Sequence, residues 1–297
     1  YYSKSVHMTN LIPSSVQIWA HSTNSTDDLS KALEDSTITA IEADIVFGTY
    51  DDGSGHVISE QLQPVMAHTS NATSDLSFNK FMRMATSDSG ITGKEMKKHL
   101  KLDFKDFDAI EPALRDVRDM QICQSHGKTM FLNADVLSGP MHRDTPPSIG
   151  GEAFISTCMR ALGDSHKHCA YSLGWKADPR SSSGYLSSDV EAMQTLILNH
   201  NILQLCRGVV LAVNARVLSK DCHVFDSILQ DLPGIQLLAW TGTGELPIST
   251  KQIDSIKSHF HSTGFTDKVG FDCKVASSPL MGILFDFAVQ FSGWFIY

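Results

Sequence analysis

Residues 40–47 read Ala-Ile-Glu-Ala-Asp-Ile-Val-Phe, an apolar run that contains two acidic residues, Glu42 and Asp44. The apolar side chains on both sides are typical of a buried strand. Because side chains alternate between the faces of a strand, both carboxylates point to one face, and the isoleucines and Ala43 to the other. Burying two like charges is costly unless a cation or hydrogen bonds compensate them. The run therefore predicts a strand with a charged site on its inner face.

Similar short apolar runs recur along the chain, with helix-like segments between them. This alternation is typical of parallel βα units, and eight strands close a barrel. The sequence thus predicts a (β/α)8 TIM-type barrel. A loop over residues 48–63, with turn-like Asp-Asp-Gly-Ser-Gly at 51–55, is predicted in place of the helix between the second and third strands. The predicted strands are 17–21, 40–47, 64–68, 99–105, 129–137, 169–175, 208–217 and 235–240.

A single domain over residues 1–297 is predicted, since barrels of this kind reach that length as one unit. The contents of 42% hydrophobic and 19% charged residues are those of an ordinary globular protein. The apolar segment 281–297 is shorter than the roughly 20 residues of a typical membrane span and contains Asp286. We expect this segment to be a buried closing element.

The formal net charge of −9 argues against a nucleic acid as partner, because binding that polyanion needs clustered lysines and arginines. An acidic protein that handles a phosphate ester needs local positive charge, from a metal ion or from a few inward-facing basic residues. The candidates for such a site lie at the ends of the predicted strands.

Two apolar strands end in Ala-His, at His21 and His68. In a barrel of this type the carboxyl ends of the strands carry the active site. An imidazole titrates close to neutral pH, so a pair of them suits general acid and general base work. The sequence leaves open which histidine takes which role.

The predicted fourth strand places Asp103 on the same face as Lys101 and Lys105. Together with Glu42 and Asp44, Asp103 makes a set of three predicted metal ligands. Carboxylates without nearby cysteines favour Mg²⁺, with Ca²⁺ or Mn²⁺ as lesser alternatives. Lys105 is expected to stabilise the developing negative charge on a phosphate.

Later strands supply residues that we expect to line a substrate pocket. Each is a polar or aromatic residue at or near the carboxyl end of its strand, and Lys101 joins them. They are Asn133, Asp135, Ser172, Trp175, Arg216 and Trp240.

Several stretches in this order together resemble the menorin family. They cover most of the chain, and their combination is more specific than any one of them. The stretches are Trp19-Ala20-His21-Ser22-Thr23-Asn24, Ile41-Glu42-Ala43-Asp44, Pro64-Val65-Met66-Ala67-His68, Lys101-Leu102-Asp103-Phe104-Lys105, Asn133-Ala134-Asp135 and Ser172-Leu173-Gly174-Trp175.

That family is related to the phospholipase-C-like phosphodiesterase barrels, which include glycerophosphodiester phosphodiesterases and spider-venom phospholipases D. The resemblance implies catalytic roles for the two histidines and Mg²⁺ ligation by the three carboxylates, and Lys105 matches a lysine of the venom enzymes. The His-Arg-Gly opening of the glycerophosphodiesterases is missing, since Ser22 and Thr23 follow His21. Their phosphate-binding arginine is not carried over.

Two functions follow as hypotheses. The first is a metal-dependent phosphodiesterase or phospholipase-D-like enzyme that acts on a small phosphodiester or a lipid headgroup. The resemblance also implies an alternative, an extracellular signalling or adhesion protein that binds cell-surface partners in neuronal dendrite patterning and retains only a vestigial site. The sequons Asn24-Ser25-Thr26 and Asn71-Ala72-Thr73 favour a secreted protein if they are used.

Overall fold

Eight parallel strands form a nearly closed α/β barrel in the computed structural model, which describes residues 18–52, 57–88, 94–122, 127–242 and 244–276. Each barrel strand pairs with the next along the sheet. In that order they are β1 (Trp19–Ala20), β2 (Ala40–Asp51), β7 (His99–Phe104), β8 (Met130–Ser138), β9 (Cys169–Lys176), β10 (Val209–Asn214), β11 (Ile235–Trp240) and β12 (Val269–Asp272).

Helices alternate with these strands along the chain, as the sequence pattern predicted. They bury apolar faces against the outside of the barrel, where the main hydrophobic core lies. The described helices are α1 (Thr26–Glu34), α2 (Phe78–Ala85), α3 (Ile110–Asp119), α4 (Gly151–Leu162), α5 (Ser187–Asn199), α6 (Ile202–Leu205), α7 (Ala215–Leu218), α8 (Asp226–Asp231) and α9 (Thr250–Ser262).

The predicted third strand is not a barrel strand. Residues 64–66 of it belong to β3 (Val57–Met66), which pairs antiparallel with β2 and forms a long hairpin where a loop was predicted. The described part of residues 48–63 contains no helix, as predicted, and α2 is the helix that connects β2 to the next barrel strand, β7. An apolar run has the same period of two whether its strand is parallel or antiparallel, so the pattern does not distinguish these cases.

Three short strands complete this region. The strand β4 (Thr73–Ser74) adds to the far end of β2, while β5 (Thr86–Asp88) and β6 (Lys94–Met96) form a separate antiparallel pair. In the sequence, β4 lies just before α2, and β5 and β6 lie between α2 and β7.

The eighth barrel strand, β12, was missed in the sequence. It is four residues long, Val-Gly-Phe-Asp, and pairs in parallel with β11 from Leu237 beside Val269 to Trp240 beside Asp272. So short a run, with a glycine in it, has too little apolar content to indicate a strand. The predicted number of eight barrel strands is correct, but the predicted strand 64–68 is not one of them and β12 was not predicted.

The inside of the barrel is filled at its lower end by a second, smaller apolar cluster. Trp19 packs against Phe131 with ring centroids 6.2 Å apart, and one residue from each of three further strands completes the cluster. Two residues further along a strand the side chain faces inward again, so polar Asn133 follows Phe131 above this apolar plug. The three further members are Ala170, Val210 and Leu238.

The predicted closing segment 281–297 lies outside the described residues. Among the helices that are described, none combines the length and the apolar character needed to cross a bilayer.

Buried His99 at the start of β7 predicts a dependence of stability on pH. Its Nδ1 accepts a hydrogen bond of 3.1 Å from the Thr129 backbone N–H. Burial, with Lys128 and Arg207 nearby, lowers its pKa to about 4. His99 is therefore harder to protonate in the folded protein than in the unfolded chain. The free energy of unfolding should fall as pH drops from about 6.5 towards 4, by on the order of 3 kcal/mol.

Urea unfolding at a series of pH values measures this effect. His99→Gln, which retains an acceptor for the Thr129 N–H, should flatten the decline in the free energy of unfolding below pH 6.5. Replacement of the exposed His261 by Gln is the control and should keep the wild-type slope. Equal slopes for His99→Gln and wild type would contradict the assignment.

Candidate metal centre and active site

A polar layer lies above the apolar plug, at the carboxyl ends of the strands. Pairing of the strands brings Asp44 beside Asp103, Asp103 beside Asn133, and Asn133 beside Ser172. Hydrogen bonds follow the same order: Ser172 Oγ donates to Asn133 Oδ1 at 2.6 Å, and Asn133 Nδ2 donates to Asp103 Oδ1 at 2.7 Å. The predicted substrate residues Asn133 and Ser172 thus support Asp103 from the side.

Three carboxylates converge in this layer, as predicted. Glu42, Asp44 and Asp103 are 6%, 3% and 7% exposed, and one oxygen from each lies within 4.8 Å of the others. The backbone N–H of Ser22 donates to Glu42 Oε2 at 2.8 Å, and Asn24 Nδ2 donates to Asp44 Oδ2 at 2.9 Å. Buried oxygen donors so close together fit a hard divalent cation.

Lys105 lies among these carboxylates. Its Nζ is 2.9 Å from Asp103 Oδ2 and 3.4 Å from Asp44 Oδ1. Burial raises the pKa of Asp103, although Lys105 and Lys101 oppose that rise. The Lys105 ammonium offsets part of the negative charge of the three carboxylates, and a divalent cation would compensate it further.

His21 follows β1 and joins both ends of the barrel sheet. Its Nε2 lies 2.9 Å from Asp272 Oδ1 at the end of β12, and its Nδ1 lies 3.6 Å from Glu42 Oε2. Partial burial lowers its pKa, but the contacts with Asp272 and Glu42 outweigh that effect and raise the pKa to about 9. The imidazole is therefore held between two carboxylates.

His68 lies two residues after the end of β3 and not at the end of a barrel strand. Its Nδ1 is 3.4 Å from Asp44 Oδ2, and its side chain is 70% exposed. The contact with Asp44 raises its pKa, and its slight burial opposes this. The structure therefore places His68 beside Asp44, although not at the end of a barrel strand as predicted.

Three further predicted residues share the inward face of their strands. Asp135 follows Asn133 by two residues, Trp240 ends β11 above Leu238, and Lys101 precedes Asp103 by two. Asp135 is exposed, whereas Lys101 and Trp240 are half-buried. Asp135 and Trp240 lie at positions from which a side chain can line the mouth, whereas Lys101 lies lower, paired with Phe131 of the apolar cluster.

Two predicted residues are not brought into the mouth. Trp175 is 1% exposed, packs against Tyr185 with ring centroids 5.4 Å apart, and donates from Nε1 to Asp189 O at 3.2 Å. Its odd position in β9 points it outward into the main core. Arg216 lies on α7, beyond the end of β10, and its Nη2 donates to the carbonyls of Leu246 and Pro247 at 2.7 and 2.6 Å.

Sequence reasoning missed two residues of the site, Asn24 and Asp272. Asn24 Oδ1 accepts from the Asp44 backbone N–H at 2.9 Å, so both ends of this amide are bonded to one residue. Asn24 opens a sequon, and a glycan there would be attached to Nδ2, the atom that donates to Asp44, so it would crowd the carboxylate site. Asp272 had a weak signal as an acidic residue that ends a short apolar run.

The fold and the site define an α/β barrel protein with a candidate divalent-metal centre at the carboxyl ends of its strands. A profile of the Menorin N-terminal domain matches residues 15–266, and the chain belongs to the menorin family. Human Protein FAM151B is 26% identical over 242 residues, which cover 82% of this chain and 78% of that protein. The matched range contains the three carboxylates, both histidines and Lys105, and it ends before Asp272.

Metal binding should raise the stability of the protein. At a concentration of Mg²⁺ or Mn²⁺ one hundred times its Kd, the free energy of unfolding should increase by about 2.7 kcal/mol. Thermal melting across a titration measures this, and Asp44→Asn should remove the dependence because it takes away a ligand. The control is Asp254→Asn on the exposed face of α9, which should respond like wild type. Equal responses of all three proteins would rule out the site.

Proposed function

We propose that this protein is a metal-dependent phosphodiesterase. The observation that carries the proposal is the buried set of Glu42, Asp44 and Asp103, with Lys105 among them and an imidazole on either side. This combination provides a cation site, a fixed positive charge and two groups for proton transfer at one end of the barrel. All three are what cleavage of a phosphodiester requires.

The three carboxylates would hold the cation, and the oxygen donor set favours Mg²⁺, with Mn²⁺ or Ca²⁺ as alternatives. When bound, a divalent cation stabilises the negative charge that develops on the phosphate oxygens. Lys105 supports the same charge from the protein side, because its ammonium is held at a defined position by Asp103 and Asp44. This local positive charge lets an acidic protein bind an anionic ester.

The two histidines would move the protons. One imidazole accepts the proton of the attacking hydroxyl as its oxygen bonds to phosphorus, and the other donates a proton to the oxygen that leaves. Asp272 orients His21 through the 2.9 Å contact. If the attacking group is water the product is a phosphomonoester, and if it is a hydroxyl of the substrate the product is a cyclic phosphate.

The proposed substrate is a small phosphodiester or a lipid headgroup, and a nucleic acid is excluded from the proposal by the net charge of −9. We also propose an extracellular location, where cell-surface proteins would be partners. The second sequon supports this location, because Asn71 is exposed and lies in a turn, where a glycan could be carried.

Hydrolysis of bis(4-nitrophenyl) phosphate with Mg²⁺ or Mn²⁺ tests the proposal. His21→Ala should lower kcat/KM by about 10²- to 10⁴-fold, since one of the two proton-transfer groups is lost. His261→Ala, at an exposed position on α9, is the matched control and should retain the wild-type rate.

Equal rates for wild type and His21→Ala would overturn the enzyme proposal. Metal-dependent binding of a phosphodiester without any turnover would instead favour the signalling or adhesion function with a vestigial site.

A further inference from the structure

Asp135 is an inward-facing carboxylate that the proposed chemistry does not use. It lies on β8 two residues beyond Asn133, and it is exposed in the mouth, unlike the three buried carboxylates. Glu42, Asp44, Asp103 and Asp272 all accept hydrogen bonds or contact an imidazole. The backbone of Asp135 pairs with β9, but within the described ranges no group forms a hydrogen bond or an ion pair with its carboxylate.

The backbone aims this carboxylate into the mouth. The pairing of β8 with β9 shifts register between Asp135 and Leu137, and such irregularities re-aim side chains beside functional sites. Opposite Asp135 stands Gly174, where an added Cβ would lie only 2.4 Å from Asp135 Oδ1. The glycine therefore leaves the space that the carboxylate occupies.

The chemistry of the neighbourhood narrows what Asp135 binds. A carboxylate is a hydrogen-bond acceptor, so the group it binds must be a donor. Lys105, Lys101 and Lys176 act on Asp135 as three positive charges and Asp103 acts on it as one negative charge, and this net positive surrounding disfavours a cationic group there. An uncharged hydroxyl is the donor that fits both conditions.

We propose that Asp135 is a specificity-determining residue that accepts a hydrogen bond from a hydroxyl group of the substrate. The phosphodiester would then carry a polyhydroxylated alcohol group and not a plain alkyl or an aminoalkyl group. This inference rests on the proposed phosphodiesterase function and names the substrate class of the same site.

The test uses three diesters of 4-nitrophenyl phosphate whose second alcohol is propyl, 2,3-dihydroxypropyl or 3-aminopropyl. They share a leaving group and differ only in the group offered to Asp135. For the wild-type protein with Mg²⁺, kcat/KM should be about ten- to a hundredfold higher for the dihydroxypropyl ester than for the propyl ester, chiefly through a lower KM. The aminopropyl ester should gain nothing.

Two variants locate the preference. Asp135→Asn should bring the ratio of dihydroxypropyl to propyl close to one, because the charged acceptor is lost. Gly174→Ala should lower the same ratio by displacing the carboxylate, while the flexible end of Asp135 gives way without disturbing the fold. Gly150→Ala is the control, since an added Cβ there meets no heavy atom within 4 Å, and it should keep the wild-type ratio.

Calorimetric titration with the corresponding propyl and 2,3-dihydroxypropyl methylphosphonates measures the preference without turnover. A wild-type protein that prefers the dihydroxylated ligand, and loses the preference in Asp135→Asn, supports the inference even if no ester is hydrolysed. Failure of hydrolysis alone counts against the proposed function. Equal affinity for the two phosphonates, a preference for the aminopropyl ester, or a preference that survives Asp135→Asn would overturn this inference.

Discussion

Repulsion among three carboxylates buried at the mouth of the barrel is the constraint on which the site depends. Glu42, Asp44 and Asp103 come from two adjacent strands whose pairing forces them together, so the charges cannot separate without breaking the sheet. The surrounding groups all reduce this repulsion: the Ser22 amide, the Asn24 side chain and the Lys105 ammonium each contact a carboxylate oxygen. A carboxylate cluster of this kind is stable only with such partners or with a cation. The negative charge that the fold must compensate is therefore also the charge that would bind a metal ion.

The ends of the barrel sheet meet at the same place. β1 has two residues and β12 has four, so neither offers many backbone hydrogen bonds. His21 directly follows β1 and Asp272 ends β12, and the contact between their side chains links these two strands. The plug below is built from both halves of the barrel, with Trp19 of β1 against Phe131 of β8. Closure of the barrel and orientation of His21 therefore depend on the same contact between His21 and Asp272. A residue that orients a catalytic imidazole here also holds the scaffold.

Much of the site could be predicted from local sequence because side-chain direction alternates along a strand. Asp103 was placed with Glu42 and Asp44 on parity alone, and the structure brings the three together. Trp175 was chosen because it lies near the end of its strand, although the same rule points its odd position into the main core, and the rule does not apply to Arg216, which lies beyond the strand end on α7. His68 was identified through its Ala-His ending, yet it follows the antiparallel strand β3, and Asp272 stayed hidden because its strand is too short to produce a pattern.

By itself, the sequence determined the alternation of strands and helices, the inward face of β2 and β7, and the membership of the menorin family, because these depend on local periodicity and on residue identity. Only the tertiary structure decided which strands are neighbours, that β3 folds back onto β2, and that Asp272 faces His21 across 251 positions of the chain. Those contacts join segments far apart in sequence. Packing and hydrogen bonding in the barrel determine which segments come into contact, and no local sequence pattern predicts those pairs.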